Sequence, residues 1–445
     1  MNTEDRVTAG SAGGGEHPGQ ESHHTQESEQ SPQSPGGKGL LSRFRTFESF
    51  RYGGYRLLWL ASAGTSGGYF LQQVVIGWIV YDLTKSPFIT TLALSLDSLP
   101  QLIGGPIGGV LVDAWDKRKI LIILPAYQAA LSILFGVLVF TGNVETWHIL
   151  VFVPLIGGAW MLIEPARMAI TPQLVPRQNL INAYSLTQLA FSTTRLAGPA
   201  IGGVVLDQFG PGPTLFAEGG VQLGASVMAF LIVTDRRPRV KVNLRSVYSG
   251  LAEMAGYAKV NPLIPGLLLC AIIPPLMITP VTSGLMPVFT AEVFGGAGTQ
   301  LGFLLAASGA GSIIGVTILA TFSNMRHKGL VLLGTMIVTS VIMIAFAFNS
   351  FFGPALFLLL VIGAGFTICQ TLSYALVQSN IRDDLRGRVS GLVMATWGFL
   401  PLGALLLGTV ANVLGAPMAA VIAAGIMAVA TVLIAASFGS VRRIA

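Results

Sequence analysis

Five ionisable side chains interrupt long apolar stretches of a sequence in which only 10% of the residues are charged. They are Asp97, Glu164, Arg167, Arg195 and Glu218. Ionisable groups inside a lipid-embedded segment are costly and usually have a function. Burial disfavours the charged form of a carboxyl group, so Asp97 or Glu218 could exchange protons near neutral pH. Glu164 is a third candidate for this proton exchange.

These groups also allow structural interpretations. Arg195 lies in the middle of its apolar stretch and could pair either with Glu164 or with an anionic solute. Asp97 and Arg195 could each belong to a structural ion pair instead. Glu218 could be a carboxylate at the membrane interface. The sequence leaves these alternatives open.

A second charged group lies between two apolar stretches, in the segment from Gly109 to Lys119. Asp113 closes the first stretch, and Lys117, Arg118 and Lys119 follow within a short turn. Cations placed directly after a membrane span are typical of a cytoplasmic loop. The segment could act as an ionic latch, or it could only set the topology of the chain.

The composition indicates that membrane helices position these groups. Apolar residues make up 52% of the 445 residues, and the mean hydropathy is +0.69, so a soluble fold would lack a polar surface. The two cysteines lie inside apolar stretches and the five histidines are scattered, so we expect neither a metal site nor a cofactor. Loops on one side of a membrane explain the net charge of +6, so we expect no nucleic-acid partner.

Twelve apolar segments approach or exceed the length of about 18 residues that a bilayer-spanning helix needs. Six precede a polar linker: Leu57–Tyr81, Phe88–Val112, Ile120–Thr141, His148–Ile170, Tyr184–Leu206 and Pro213–Thr234. Six follow it: Leu263–Phe289, Leu301–Phe322, Leu330–Phe348, Phe352–Val377, Val389–Ala411 and Pro417–Phe438. With a cytoplasmic N-terminus, every lysine and arginine except Lys85, Arg167 and Arg195 lies on the cytoplasmic side. This bias predicts that both termini are cytoplasmic.

The polar segments divide the chain into predicted parts. The tail 1–40, rich in Gly, Ser, Gln and Glu, is predicted to be disordered and cytoplasmic. Phenylalanines alternate with arginines in 41–56, which predicts an amphipathic helix in the membrane interface. The remaining predicted parts are a six-helix bundle at 57–234, a cytoplasmic linker at 235–262, a second six-helix bundle at 263–438 and a cytoplasmic C-terminus at 439–445.

A weak internal repeat and several motifs connect the sequence with a known architecture. The repeat lays Gly109 on Gly315 and Gly203 on Gly408, as expected for two parallel halves around a central site. The motifs are the Gly109–Lys119 segment, Tyr55–Trp59, Tyr81–Pro87, Pro165–Arg167, Leu174–Arg177, Gly198–Gly203 and Arg386–Val389. Together they resemble the major facilitator superfamily, and most of all its branch of macrolide-efflux proteins and enterobactin exporters.

The resemblance implies an all-α membrane protein with twelve transmembrane helices in two pseudo-symmetric halves of six. It also implies that Asp113 docks on the positive N-terminal end of a helix near Arg386 and Arg388, and so holds the cytoplasmic side shut. Arg118 would brace this contact. The implied gating residues are Gly109, Asp113, Lys117, Arg118, Arg386 and Arg388.

The segment Gly198–Gly203 resembles the motif typical of exporters in this superfamily. Its candidate functional residues are Gly198, Pro199, Gly202 and Gly203. The proline removes one backbone hydrogen bond and could bend the span, which would keep the central cavity from leaking. The glycines could instead serve only close packing of neighbouring helices.

A central cavity in such a fold takes side chains from the first, fourth, seventh and tenth spans. The candidates are Tyr69, Gln72, Gln73, Trp160, Thr279, Gln370 and Tyr374. Aromatic faces with a few amides suit a mid-sized amphipathic solute better than a sugar.

The sequence departs from the family pattern at Ala114 (usually basic), at Asp116 (usually glycine) and at Thr194, the first glycine position of the exporter motif. We predict a monomeric secondary active transporter in a bacterial inner membrane. It would export a small amphipathic drug, macrolide or siderophore by alternating access, in exchange for protons. An uncoupled lipid or solute facilitator and a membrane sensor that uses the same fold are the alternatives.

Two other classes of protein are not expected. An enzyme would need a clustered nucleophile, base or metal set, and the sequence contains none. The glycines of Gly309–Gly315 imitate a dinucleotide-binding pattern, but they lie inside an apolar span rather than between a strand and a helix.

Overall fold

Long helices make up almost the whole of the chain that the computed structural model describes. The described residues are 47–102, 104, 111–112, 115–233, 263–322, 326–381 and 396–444. No β-strand occurs within these ranges. The predicted tail 1–40, the predicted linker 235–262 and several predicted gating residues lie outside the described residues.

Ten of the helices follow the predicted apolar segments within a few residues, whereas α2 and α11 cover only parts of the predicted Phe88–Val112 and Val389–Ala411. In the first half they are α1 Gly53–Thr84, α2 Pro87–Ser95, α3 Lys117–Phe140, α4 Thr146–Leu174, α5 Leu180–Phe209 and α6 Pro211–Phe230. In the second half they are α7 Leu263–Val293, α8 Gly298–Thr321, α9 Lys328–Ala347, α10 Phe352–Ser379, α11 Leu400–Leu414 and α12 Ala416–Ser437, after which comes the short α13 Gly439–Arg442.

Apolar length confirms the predicted class of all-helical, multi-pass membrane protein. Nine helices in the described part of the chain are long and apolar enough to cross a bilayer. The helices α1 and α6 are long enough but more polar, because α1 carries Gln72 and Gln73 and α6 carries Glu218 and Gln222. The count of twelve crossings therefore stays a prediction.

The helices pack in two groups that meet along two helix pairs. In the first half, α1 packs on α5 and α6, and α3 packs on α4 and α6. In the second half, α10 packs on α8 and α9, and α9 also packs on α12. The halves meet where α5 packs on α8 and where α2 packs on α11.

Glycines allow α5 and α8 to approach each other at backbone distance. A Cβ atom added to Gly203 would lie 3.0 Å from the Cα of Gly302, and one added to Gly309 would lie 2.7 Å from the carbonyl oxygen of Arg195. Small residues are what permits close helix approach where no water drives association.

We expect Gly302→Leu to push α5 and α8 apart, because a Cβ there would overlap the Pro199 carbonyl oxygen. Overpacking of this kind costs about 1–3 kcal/mol. The thermal midpoint of the purified protein in detergent is expected to fall by several degrees. Gly220→Leu is the matched control, since a Cβ on Gly220 meets no atom within 4 Å. Equal midpoints for the two variants would contradict the close packing.

The first described segment of the chain begins with a short turn. A 3₁₀ turn, Glu48–Arg51, leads into α1, and the remainder of the predicted 41–56 helix before residue 47 lies outside the described residues. The ring of Phe50 contacts those of Tyr55 and Trp59, at centroid distances of 5.9 and 5.2 Å. The main-chain N–H of Ser49 donates to the Asn182 Oδ1 at 3.0 Å. This segment is thus anchored on the beginnings of α1 and α5.

Candidate functional site

A cavity of about 350 Å³ lies where the two halves meet. Its lining includes residues of α1, α2, α4 and α5 from the first half and of α7, α8, α10 and α11 from the second. A site shared between the repeats is the usual place for a substrate in a transporter built from two halves.

Two breaks in helical geometry shape this cavity. The α-helical part of α2 ends at Ser95, and a 3₁₀ turn, Leu96–Ser98, carries Asp97 into the cavity lining. A side chain on Gly157 of α4 would overlap the main chain of Asp97, so this glycine makes room for the turn. In α7 a π-helical turn, Pro280–Gly284, supplies a further part of the lining. Such turns occur frequently at functional sites.

Aromatic rings form much of the cavity wall. The rings of Tyr69 and Trp160 stack with centroids 4.9 Å apart, and Phe191 lies 6.4 Å from Trp160. In the second half, Phe366 meets Trp397 edge-on at 6.0 Å. The cavity therefore offers flat apolar faces from both halves.

Two groups of opposite charge share this cavity without touching. The hydroxyl of Tyr69 donates to the Oδ2 of Asp97 at 2.5 Å. Arg195 also lines the cavity, and it forms no hydrogen bond and no ion pair within 4.0 Å with any other residue that the structure describes. The alternative that pairs Arg195 with Glu164 is wrong, because Glu164 pairs with Arg167 one turn later on α4.

The two halves are hydrogen-bonded to each other at one end of the bundle, called here the Lys85 end because the loop after α1 lies there. Asp207, near the end of α5, caps α8: its Oδ1 accepts from the N–H of Gly298 at 2.8 Å and its Oδ2 from the N–H of Thr299 at 2.7 Å. The hydroxyl of Tyr81 donates to the Oε1 of Glu292 at 2.6 Å.

One further hydrogen bond, from the Ser86 Oγ to the Asn412 Oδ1 at 3.2 Å, links α2 and α11 at this end. Among pairs of described residues, every hydrogen bond between the halves lies at the Lys85 end. This conformation is consequently closed there.

Residues 44–441 match the family described as transmembrane secretion effector. The chain belongs to this family of the major facilitator superfamily. Two efflux proteins are similar to this chain over most of their length. Macrolide efflux protein A of Streptococcus pyogenes is 23% identical over 78% of this chain and 86% of its own. The multidrug efflux pump Tap of Mycolicibacterium fortuitum is 26% identical over 81% and 90%.

A solved structure has the same fold as this chain. It is that of a bacterial homologue of the human lysosomal transporter Spinster, with a TM-score of 0.69 at 13% identity, over 87% of this chain and 98% of that one. The predicted superfamily and branch are thus confirmed. The prediction that the protein is not an enzyme is also confirmed, because the family and its structural neighbours are membrane transporters.

The predicted cavity residues divide into three groups. Tyr69, Gln73, Trp160 and Thr279 line the cavity. Gln72 lines a small adjoining space of about 30 Å³ that shares Tyr69, Gln73 and Asp97 with it. Gln370 and Tyr374 line neither space, because α10 reaches the cavity through Phe366.

Glu218 lies apart from the cavity, fully buried in α6. The alternative of an interfacial carboxylate is wrong, because none of its surface is exposed. Neither carboxyl oxygen has a hydrogen bond of good geometry to a described residue, and the polar side chain that faces it is Gln222, one turn later. Glu218 is therefore an isolated ionisable group in the core of the first half.

Most of the predicted cytoplasmic gate lies outside the described residues, namely Gly109, Asp113, Arg386 and Arg388. Of the other two candidates, Lys117 begins α3, and Arg118 donates from its Nη2 to the carbonyl oxygen of Phe230 at 2.6 Å. Arg118 thereby ties the beginning of α3 to the end of α6.

The unusual Asp116 has a structural role. Its Oδ1 accepts from the N–H groups of Arg118 and Lys119, at 3.0 and 3.4 Å, so it is the N-cap of α3. Aspartate is among the preferred N-cap residues, which explains the departure from glycine at this position.

The exporter motif packs on two neighbours at once. A Cβ on Gly198 would lie 2.9 Å from the Cβ of Phe70, and one on Gly202 would lie 3.2 Å from the Cγ of Leu71, both in α1. Gly203 faces α8 instead, and Pro199 lines the cavity. The glycines allow close packing of α5 on both sides, and the suggested role in leak prevention stays a prediction.

Proposed function

We propose that the protein exports a small amphipathic molecule, such as a drug, a macrolide or a siderophore, in exchange for protons. The observation that supports this best is the cavity between the halves together with its closure at the Lys85 end. A binding site reached from one side at a time is the physical requirement for alternating access.

The distribution of charge supports a proposed orientation of the two ends in a bacterial inner membrane. Arg118, Arg177 and Arg443 lie at the end opposite Lys85. By the positive-inside rule that end faces the cytoplasm, as do both termini. The conformation described is then closed to the outside, and export would require the cavity to be loaded from the cytoplasm.

The second conformation needs a closure on the cytoplasmic side. The proposed closure is the contact of Asp113 with the helix start near Arg386 and Arg388, supported by Gly109 and Lys117. Arg118, held against the end of α6, fixes the beginning of α3 behind this loop. A carboxylate on a helix N-terminus would then close each side in turn, with Asp207 outside and Asp113 inside.

The wall of the cavity supports the class of solute. Stacked and edge-on rings, from Tyr69 and Trp160 to Phe366 and Trp397, give area for a flat apolar body. Polar side chains such as Gln73, Gln101 and Thr279 lie between them, and ligand pockets use such groups to orient the ligand.

Asp97 is the proposed site of proton exchange. It lies in the cavity, and protonation would remove the charge that now accepts the Tyr69 hydroxyl. Proton and solute would thus act on the same group, which is what exchange requires. Glu218 is the second candidate, and Glu164 is less suitable because Arg167 already pairs with it.

Accumulation of compounds in an efflux-deficient bacterial host tests this function. Cells that express the protein are expected to accumulate several-fold less of some members of a panel of aromatic antibiotics, dyes and catecholate siderophores. A protonophore is expected to abolish the difference. A difference that survives the protonophore would favour the uncoupled facilitator, and no difference for any compound would favour a sensor over a transporter.

A further inference from the structure

The guanidinium of Arg195 presents an uncompensated cation to the central cavity. It comes from α5, near the middle of the helix, and its side chain has no hydrogen-bonding or ion-pairing partner among the residues that the structure describes. Among the described residues, the other charged residue in the cavity lining is Asp97, which accepts from Tyr69 and lies more than 4.0 Å from Arg195. An unpaired charge away from bulk water is costly.

Arginine is suited to bind an acid group here. The guanidinium has five N–H donors in a planar fork that matches a carboxylate or sulfonate, and no proton can be removed from it in a protein. Charge-assisted bonds of this geometry are about twice as strong as neutral ones. A solute with an acid group would supply the partner that the described residues do not.

The neighbours of Arg195 place flat apolar surface beside the cation. Phe191 precedes it by one helical turn and Pro199 follows it by one turn, so the three share a face of α5. All three line the cavity, and Phe191 continues into the rings of Trp160 and Tyr69. If the acid group of a solute bound Arg195, an aromatic ring attached to that group would pack against this wall.

Asp97 does not offer an equivalent place to a cationic solute. One of its oxygens already accepts the Tyr69 hydroxyl, whereas the Arg195 donors have no acceptor in the part of the chain that the structure describes. A second acid group on the solute would also be repelled by Asp97 if both were charged. The cavity thus favours one negative charge, placed on the Arg195 side.

We propose that the solute of this transporter is a monoanionic aromatic molecule whose carboxylate or sulfonate binds Arg195 while its ring lies on Phe191 and Trp160. This inference rests on the proposed function, because it assigns the class of solute to the same cavity. It concerns equilibrium binding alone, so it can fail while transport is observed, and it can hold where no proton coupling is found.

Binding of three matched probes to the purified full-length protein in lipid nanodiscs tests this inference. The probes are 2-naphthoate, neutral 2-naphthamide and cationic 2-naphthylmethylammonium, measured by equilibrium dialysis with empty nanodiscs subtracted. The wild-type protein is expected to bind naphthoate at least about ten-fold more tightly than the other two. Arg195→Gln should remove this preference, and Arg195→Lys should keep part of it.

Arg177→Gln is the control, since it removes a cation that is exposed outside the cavity. It should leave all three affinities unchanged. Equal affinity of the wild type for naphthoate and naphthamide, tighter binding of the cation, or undiminished preference in Arg195→Gln would each overturn the proposal. If Arg195→Gln does not fold, as judged by circular dichroism, the three affinities of Arg195→Lys are compared with those of the wild type. The proposal then requires that the preference for naphthoate is smaller in Arg195→Lys but still present.

Discussion

We expect Asp207→Ala to open the Lys85 end of the transporter in a larger share of molecules. The substitution removes both hydrogen bonds from α5 to the first N–H groups of α8 and the negative charge at that helix N-terminus. Loss of an N-cap side chain costs about 0.5–2 kcal/mol. A shift of that size changes the ratio of the two conformations roughly two- to thirty-fold. Asp207→Asn should give a smaller shift, because an amide oxygen can still accept one hydrogen bond.

Distances between spin labels on the two halves measure this shift. Suitable positions are Asn143 and Ser350, which are exposed in loops at the Lys85 end of different halves, with the buried Cys270 and Cys369 replaced by serine. The long-distance population is expected to grow in Asp207→Ala.

Asp82→Asn is the matched control for this measurement. Asp82 is an exposed carboxylate at the same end of the bundle, but it pairs with Lys85 within its own half. Its removal should leave the distances unchanged. Identical distance distributions for wild type and Asp207→Ala would show that the cap does not bias the equilibrium.

The substitution with the largest expected effect on coupling is Asp97→Asn. The asparagine can still accept the Tyr69 hydroxyl but cannot carry a proton. Solute movement driven by an imposed pH gradient in proteoliposomes is expected to fall at least about ten-fold, as typical for loss of a group that transfers protons. Exchange of labelled for unlabelled solute without a gradient should continue.

Asp82→Asn serves again as the control, because it makes the same chemical change outside the cavity. If Asp97→Asn carried out gradient-driven transport at the wild-type rate, Asp97 would not be the site of proton exchange. Glu218→Gln would then be measured in the same assay, since Glu218 is the remaining isolated carboxyl group in the first half.

The positions of the helices could be predicted from the sequence, because a span is defined by the length of its apolar stretch. The predicted fourth span, His148–Ile170, lies inside α4, Thr146–Leu174. The turns that break the helices could not be predicted in this way. The 3₁₀ turn at Leu96–Ser98 depends on a close approach to Gly157, and Gly157 belongs to another helix.

The cavity was only partly predictable for a related reason. An aromatic or amide side chain such as Trp160 or Gln73 indicates a polar face, but the rotation of each helix decides whether that face meets the cavity. Phe366 reaches the cavity on α10, whereas Gln370 on the same helix does not. Asp207 caps α8 through Gly298 and Thr299, which follow it in the sequence by 91 and 92 positions. A local sequence pattern cannot predict a contact between residues so far apart.

The cap at the Lys85 end has a consequence for how this protein tolerates genetic variation. Its donors are main-chain N–H groups, which every residue except proline retains, so Thr299 is free to vary without loss of the donor. The acceptor is a single side chain, Asp207. A saturation mutagenesis screen for export should therefore find a one-sided pattern, with almost any residue accepted at 299 except proline and very few accepted at 207.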